Sequence, residues 1–291
     1  MSAATSTSRS TSTSASTQLQ VEPLAGAIGA VVTGIDLARL DDATVDAVRA
    51  IWLEHLVVFF RDQELDDDAF LAFAHRIGEP VRYPFVKGFD THPEIIEVAK
   101  LPHETVNFGG IWHSDTVYLE QPPMATMLLA RELPPYGGDT MFASMYAAYD
   151  ALSPALREVL DGLEAVNSSA LADVSKTRED RIRDQGSNED EQHFLSTHPV
   201  VRTHPETGSK ALYVNPAHTA SFVGMTEEES RPLLQYLFGH STRAEFTCRF
   251  QWEPGSLALW DNRCAMHNPI NDYHGFTRRM HRITLAGDTP I

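Results

Sequence analysis

Residues 107–119 read NFGGIWHSDTVYL and set an imidazole and a carboxylate two positions apart, at His113 and Asp115. In an extended strand residues i and i+2 project from the same face, so this spacing predicts two side chains able to grip one metal ion while Ser114 faces away. A third donor of suitable type, His267, follows the apolar run SLALWD in WDNRCAMHNPINDY. Two imidazoles and one carboxylate on one face of a metal leave coordination positions open, which suits non-haem Fe(II) oxygen chemistry; a closed set of four protein ligands would suit structural zinc. By itself, His-x-Asp is a weak signal that fits a surface pair or a hydrogen-bonded core histidine better than a metal site, and nothing in the linear chain brings His267 to His113.

Positioning such donors requires a rigid frame, and the sequence predicts one built mainly of short strands. Leu19 onward shows β-branched runs broken by Gly, then DDATVDAVRAIWLEH with an acidic start and helical periodicity, the apolar run VVFF at 57–60, and a second helix in DDDAFLAFAHRIG. Beyond Gly78 the segments EIIEV, MATMLLA, DTMFAS, ALYVN, FTCRFQW, LALW and RRMHRITLAGD read as strands separated by Pro and Gly. Two helical inserts interrupt them, SMYAAYDALSPALREVLDGL and TEEESRPLLQYLFGH.

The first 18 residues, almost all Ser, Thr and Ala, predict a disordered tail; residues 19–291 predict a single domain, with a polar, charge-dense stretch around 171–193 expected as a mobile insertion. A formal net charge of -17 argues against a nucleic-acid surface or a polybasic membrane patch. No apolar run is long enough to span a membrane, and the two cysteines, Cys248 and Cys264, read as reduced core thiols; together these predict a cytoplasmic location.

Taken together, WHSD, GGDTMFASMYAAYDAL, VRTHPETG, WEPGSLALWDNRCAMH and RRMHRITLAGD resemble the taurine dioxygenase and 2,4-D dioxygenase family of Fe(II)- and 2-oxoglutarate-dependent oxygenases, over about residues 20–290. The resemblance implies a double-stranded β-helix, or jelly roll, with flanking helices. It places the iron ligands at His113, Asp115 and His267, and the 2-oxoglutarate contacts at Thr140 and Arg278, a guanidinium being a planar two-pronged match for a carboxylate. It makes Arg282 the candidate for an acidic group on the primary substrate. Arg278 and Arg282 lie an even step apart and can share a strand face, which Arg279 and His281 cannot. The implied reaction couples oxidative decarboxylation of 2-oxoglutarate, with O2, to substrate hydroxylation, and a dimer or tetramer is the implied assembly.

Departures bear on the substrate. Tyr83 stands before Pro84 where the taurine branch has a substrate-contacting His, and Gly109 stands where that branch has Asn, with Asn107 two residues earlier. Taurine is therefore disfavoured, and a bulkier acid such as an alkyl sulfate, sulfonate or aryloxyalkanoate is expected in a pocket with Tyr83, Phe108, Gly109 and Trp112. Trp260, Asp261, Asn262 and Arg263 are expected to brace the turn that presents His267, and His198, His204 and His281 to be structural. Rival readings are a hydroxylase of amino-acid-derived intermediates in natural-product assembly, a zinc hydrolase, and a jelly-roll binding protein without activity.

Overall fold

The structure, a computed structural model, describes residues 19–171 and 193–291. The expected tail and all but the two end residues of the expected insertion lie outside the described residues. The chain runs β1 (Gln20–Pro23), β2 (Ala30–Thr33), α1 (Asp42–His55), β3 (Val57–Phe60), α2 (Asp67–Ile77), β4 (Pro80–Val81) and β5 (Ile96–Lys100). An irregular stretch holding residues 107–119 leads to β6 (Ala125–Glu132), β7 (Thr140–Ser144), α3 (Met145–Asp150), α4 (Pro154–Leu160) and β8 (Glu164–Ser168). Then follow β9 (Leu195–Pro199), β10 (Val201–Thr203), β11 (Lys210–Leu212), β12 (Thr219–Phe222), α5 (Glu227–Ser241), β13 (Thr247–Phe250), β14 (Leu257–Asp261), β15 (Ala265–Pro269) and β16 (Arg278–Leu285).

The main sheet has the order β1-β2-β3-β14-β6-β16-β4, with β5 also paired to β16, and a three-stranded sheet β13-β7-β15 packs against it. Alternation along the strands explains both faces. Phe59 points between the sheets, where it stacks on Phe250 at 3.9 Å and meets Phe142 edge-on at 5.4 Å. Its neighbours Val58 and Phe60 point the other way, into a second apolar layer with Met127, Leu129, Leu257, Leu259 and Ile283, which α1 and α2 cover with Val48, Trp52, Phe70 and Phe73. A strand buried on both faces must be apolar at every position, which is why 57–60 reads as an unbroken run. The architecture is the expected double-stranded β-helix with helices outside it.

Helix starts follow side-chain capping. Asp41 and Asp66 accept from the backbone N–H groups of Thr44 and Ala69, and Thr226 and Glu229 form a capping box at α5. The insert expected as one helix at 144–163 is two short ones, because Pro154 removes an N–H donor and forces Ser153 out of the helical region; Ser153 instead caps α4. Strands β4, β8, β9, β10, β12 and β15 escape the sequence reading, because each is at most five residues long and none carries an apolar run of the kind that marks β3 or β14. No helix among the described residues is long and apolar enough to cross a membrane.

Candidate active site

His113, Asp115 and His267 meet at the mouth between the two sheets, all three buried, with one ligating atom from each lying within 4.8 Å of the others. The strand expected at 113–115 does not form. His113 makes only an isolated bridge to His267, donating to and accepting from its backbone at 3.0 and 2.8 Å, after which the chain turns at residues 115–118. The turn is held from β15 and the β14–β15 connection, where Ser114 Oγ donates to the Ala265 carbonyl and the Asp115 N–H donates to Asn262 Oδ1. Thr116 sits at φ 43°, a conformation strained for a branched residue. The pair therefore converges through a turn rather than a strand face, with His113 Nε2 3.7 Å from Asp115 Oδ1.

The neighbours fix the donor states. His113 Nδ1 lies 2.6 Å from the Ile111 carbonyl, which can only accept, so the proton sits on Nδ1 and Nε2 presents its lone pair to the cluster. Asp115 Oδ2 accepts from Thr126, Thr126 accepts from Asn262, and Asn262 accepts from Trp260 Nε1, at 2.6, 3.0 and 3.0 Å. Burial alone would raise the Asp115 pKa. The Arg282 charge, the two imidazoles and the Thr126 bond outweigh it and hold the carboxyl well below its usual range. Burial pushes both histidines below their ordinary value, His267 strongly. The cluster thus offers two neutral imidazoles and a carboxylate, the states a divalent metal needs, and the buried His267 Nδ1 has no hydrogen-bond partner among the described residues.

Beside it is a small cavity lined by Thr140, Trp260, His267, Arg278 and Arg282 among others. Arg278 is buried, and its Nε and Nη2 have no hydrogen-bond partner among the described residues. Burial lowers its pKa, opposed by Tyr273 and Asp139. Asp139 itself is engaged by Arg249 at 2.6 Å. Gly138, at φ 73°, packs its α-carbon so close that an added Cβ would lie 3.2 Å from Arg278 Cδ. Thr140 Oγ accepts from Trp252 Nε1 at 3.0 Å, which leaves its own proton to donate. A buried cation with two free donors beside a hydroxyl can bind a carboxylate.

Arg282 lies on the same face of β16, its Nη2 2.9 Å from Asp115 Oδ1 but not aligned for a hydrogen bond, and its guanidinium 4.9 Å over the Tyr83 ring. Arg279 and His281 point away, to Glu97 and Glu132 and to Asp67. A larger cavity of about 240 Å³ opens here, lined by Tyr83, Asn107, Phe108, Gly109, His113 and Arg282 among others. Asn107 contributes wall rather than a free polar group: its amide donates to the Pro269 carbonyl at 3.3 Å and its oxygen accepts from Tyr273 at 2.8 Å. Trp112 packs against the apolar core and is not among the lining residues. Tyr118 and His218 do line the cavity and were missed, because neither stands at a spacing that ties it to the ligand trio. Burial and the neighbouring His113 push the His218 pKa down to about 3.

A second buried cluster, His204, Asp261 and Cys264, is a brace. Arg263 grips Asp261 at 2.8 and 2.6 Å, His204 Nε2 lies 3.0 Å from Asp261, and His204 Nδ1 accepts from the backbone of Glu206 and Thr207. A cation inside the group and imidazole nitrogens already engaged leave no place for a metal.

The family model described as taurine catabolism dioxygenase TauD, TfdA family, matches residues 20–284. The chain belongs to the TauD/TfdA family. It is 38% identical over 94% of its length, and 91% of the relative's, to an alpha-ketoglutarate-dependent sulfate ester dioxygenase of Pseudomonas putida. It is 35% identical to an alkylsulfatase of Acinetobacter baylyi, covering 93% of this chain and 86% of that one. The crystal structure of a putative alpha-ketoglutarate-dependent taurine dioxygenase from Burkholderia xenovorans superposes with a TM-score of 0.81 at 37% identity, over 94% of each chain. Alpha-ketoglutarate is 2-oxoglutarate, and this TauD/TfdA member is a 2-oxoglutarate-dependent dioxygenase of jelly-roll fold.

Proposed function

We propose that the chain is an Fe(II)- and 2-oxoglutarate-dependent hydroxylase of small organic anions, alkyl sulfate esters first among them. The observation that carries the reading is the contact of Arg282 with Asp115 at 2.9 Å. An anion drawn to that guanidinium is brought within a few atoms of the metal-binding trio, so the carbon next to the anionic group is the one within reach of chemistry. The relatives named as a sulfate ester dioxygenase and an alkylsulfatase support the same substrate class.

His113, Asp115 and His267 would hold Fe(II), and Arg278 and Thr140 the distal carboxylate of 2-oxoglutarate. When bound, these supply with O2 the oxidising chemistry that leaves succinate and carbon dioxide and transfers one oxygen atom to the substrate. The chain's own part is placement. Arg282 orients the anion, Thr126 and Asn262 keep Asp115 Oδ2 occupied so that Oδ1 faces the cluster, and Tyr83 and Phe108 give the tail an apolar wall. A hydroxyl placed on the carbon that bears a sulfate ester makes a product that breaks its C–O bond to give an aldehyde, sulfate and a proton. Taurine fits less well, since the polar groups of Asn107 are spoken for and Gly109 offers none.

The test is succinate and sulfate formation by Fe(II)-loaded protein given 2-oxoglutarate and O2, across alkyl sulfates, alkanesulfonates, taurine, aryloxyalkanoates and amino acids. Alkyl sulfates are expected to stimulate succinate with matching sulfate release, and Asp115→Ala to abolish it. Arg282→Ala is expected to raise the KM for the anion about 10- to 100-fold, the loss of one charge-assisted contact. Stimulation by amino acids alone would replace the substrate class, and an Asp115→Ala variant as active as the wild type would remove the assigned site.

A further inference from the structure

Beside the ligand trio, the polar residues that line the larger cavity include Arg282, Tyr83, Tyr118 and His218, along with Asn107 and Thr116. The first has the anion to hold, and the two tyrosines hydrogen-bond each other. His218 is different. It is buried, its ring stands edge-on to Tyr118 at 4.9 Å and to His113 at 6.1 Å, its Nδ1 is sealed inside the protein, and no hydrogen bond among the described residues engages its Nε2, the ring nitrogen left toward the cavity.

The loop that carries it uses its other polar groups internally. Asn215 Oδ1 accepts from the Ala217 and His218 N–H groups, the Asn215 N–H donates to Thr219 Oγ, and Thr219 Oγ donates to Asn167. The backbone is thereby locked, and the loop sets the imidazole at the cavity wall. A buried polar group without a partner is destabilising, and an apolar ring would pack in the same space without that penalty. His218 is in ring contact with His113, which is joined through Asp115 to Arg282.

We propose that His218 is a substrate-selecting residue, which hydrogen-bonds a hydroxyl carried by the substrate several atoms away from its anionic group. This rests on the reading of the cavity as the site of an organic anion. A hydroxyl is the matching chemistry because it both donates and accepts. It satisfies an imidazole nitrogen whether that nitrogen carries the proton or the lone pair, where an ether or a methyl group could not do both. A substrate of this kind has two polar points separated by an apolar spacer, and the aromatic wall of Tyr83, Phe108 and Tyr118 suits the spacer.

The experiment compares n-alkyl sulfates with hydroxyalkyl sulfates of equal chain length, the hydroxyl moved from the third carbon outward, using sulfate release by the Fe(II)- and 2-oxoglutarate-supplied enzyme. Wild type is expected to favour one hydroxyl position by about tenfold in kcat/KM, chiefly through KM, the worth of one buried hydrogen bond. In His218→Phe the ratio within that pair falls below about twofold, and His218→Gln, which keeps a donor and an acceptor, restores part of it. Wild type that favours no hydroxyl analogue, or a Phe variant that folds and keeps the preference, would overturn the assignment. Failure of wild type to release sulfate or form succinate with any anion would overturn the activity reading, and this inference with it.

Discussion

Gly109 shows how tightly one residue is constrained. Its φ of 67° belongs to the left-handed region, and a Cβ there would lie 2.8 Å from His113 Cε1 and 3.1 Å from Nε2. Replacement with Ala adds backbone strain of about 1–2 kcal/mol and drives a methyl group into the metal-facing edge of the imidazole. Gly109→Ala is therefore expected to weaken Mn(II) or Fe(II) binding by at least about tenfold while the fold survives, as measured by metal titration of the purified protein. Unchanged affinity would show that His113 does not need its present ring position. The same contact gives a reason for the departure from Asn at this site: the backbone approaches the proposed ligand too closely to admit a side chain.

Among elements, the irregular segment after β5 is stitched to the segment after β15. Lys100 donates to Asn271 at 2.6 Å, Asn271 donates to the Thr105 carbonyl at 2.8 Å, and Tyr273 donates to Asn107 at 2.8 Å. Tyr273 also packs its ring against Gly138, beside Arg278. One wall of the larger cavity is thus tied to the cradle proposed for 2-oxoglutarate. Tyr273→Phe keeps the ring and loses the bond, so the KM of the primary substrate is expected to rise about two- to tenfold with little change in that of 2-oxoglutarate. Initial-rate kinetics in both substrates would decide; an equal rise in both would mean that the hydroxyl supports the whole pocket rather than one wall.

Across the whole molecule, a chain of formal net charge -17 turns Arg278 and Arg282 into one end of its barrel, concentrating positive potential where an anion would enter. Stability also depends on Asp261, fully buried with Arg263 and His204. Burial would raise its pKa, but those partners lower it. A folded-state pKa below the unfolded value, near 3.9, means that this stabilisation is complete at neutral pH. It is lost as pH falls below the unfolded value and through the folded one. Asp261→Asn is expected to destabilise by about 3–5 kcal/mol at pH 7 because it leaves Arg263 buried without its main partner. It should also flatten the acid limb of stability between about pH 5 and pH 3. Urea unfolding of both proteins at those pH values checks this, and equal acid sensitivity would place the acid-labile group elsewhere.

The apolar runs and helix starts are legible without coordinates, since the unbroken run at 57–60 and the acidic or Thr starts at Asp41, Asp66 and Thr226 act over a few residues. So is the trio of His113, Asp115 and His267 as donor types, and the even step from Arg278 to Arg282 on one strand face. Other features depend on contacts between distant segments. The turn that replaces a strand at 113–115 exists because Ala265 and Asn262 hold it. Asn107 is occupied because Pro269 and Tyr273 reach it, and His218 faces the cavity because Asn215 and Asn167 lock its loop. Local sequence determines which groups are present and which way a strand or helix face points; whether a polar atom is free for a ligand is set by partners far along the chain, which only the tertiary structure brings within hydrogen-bonding distance.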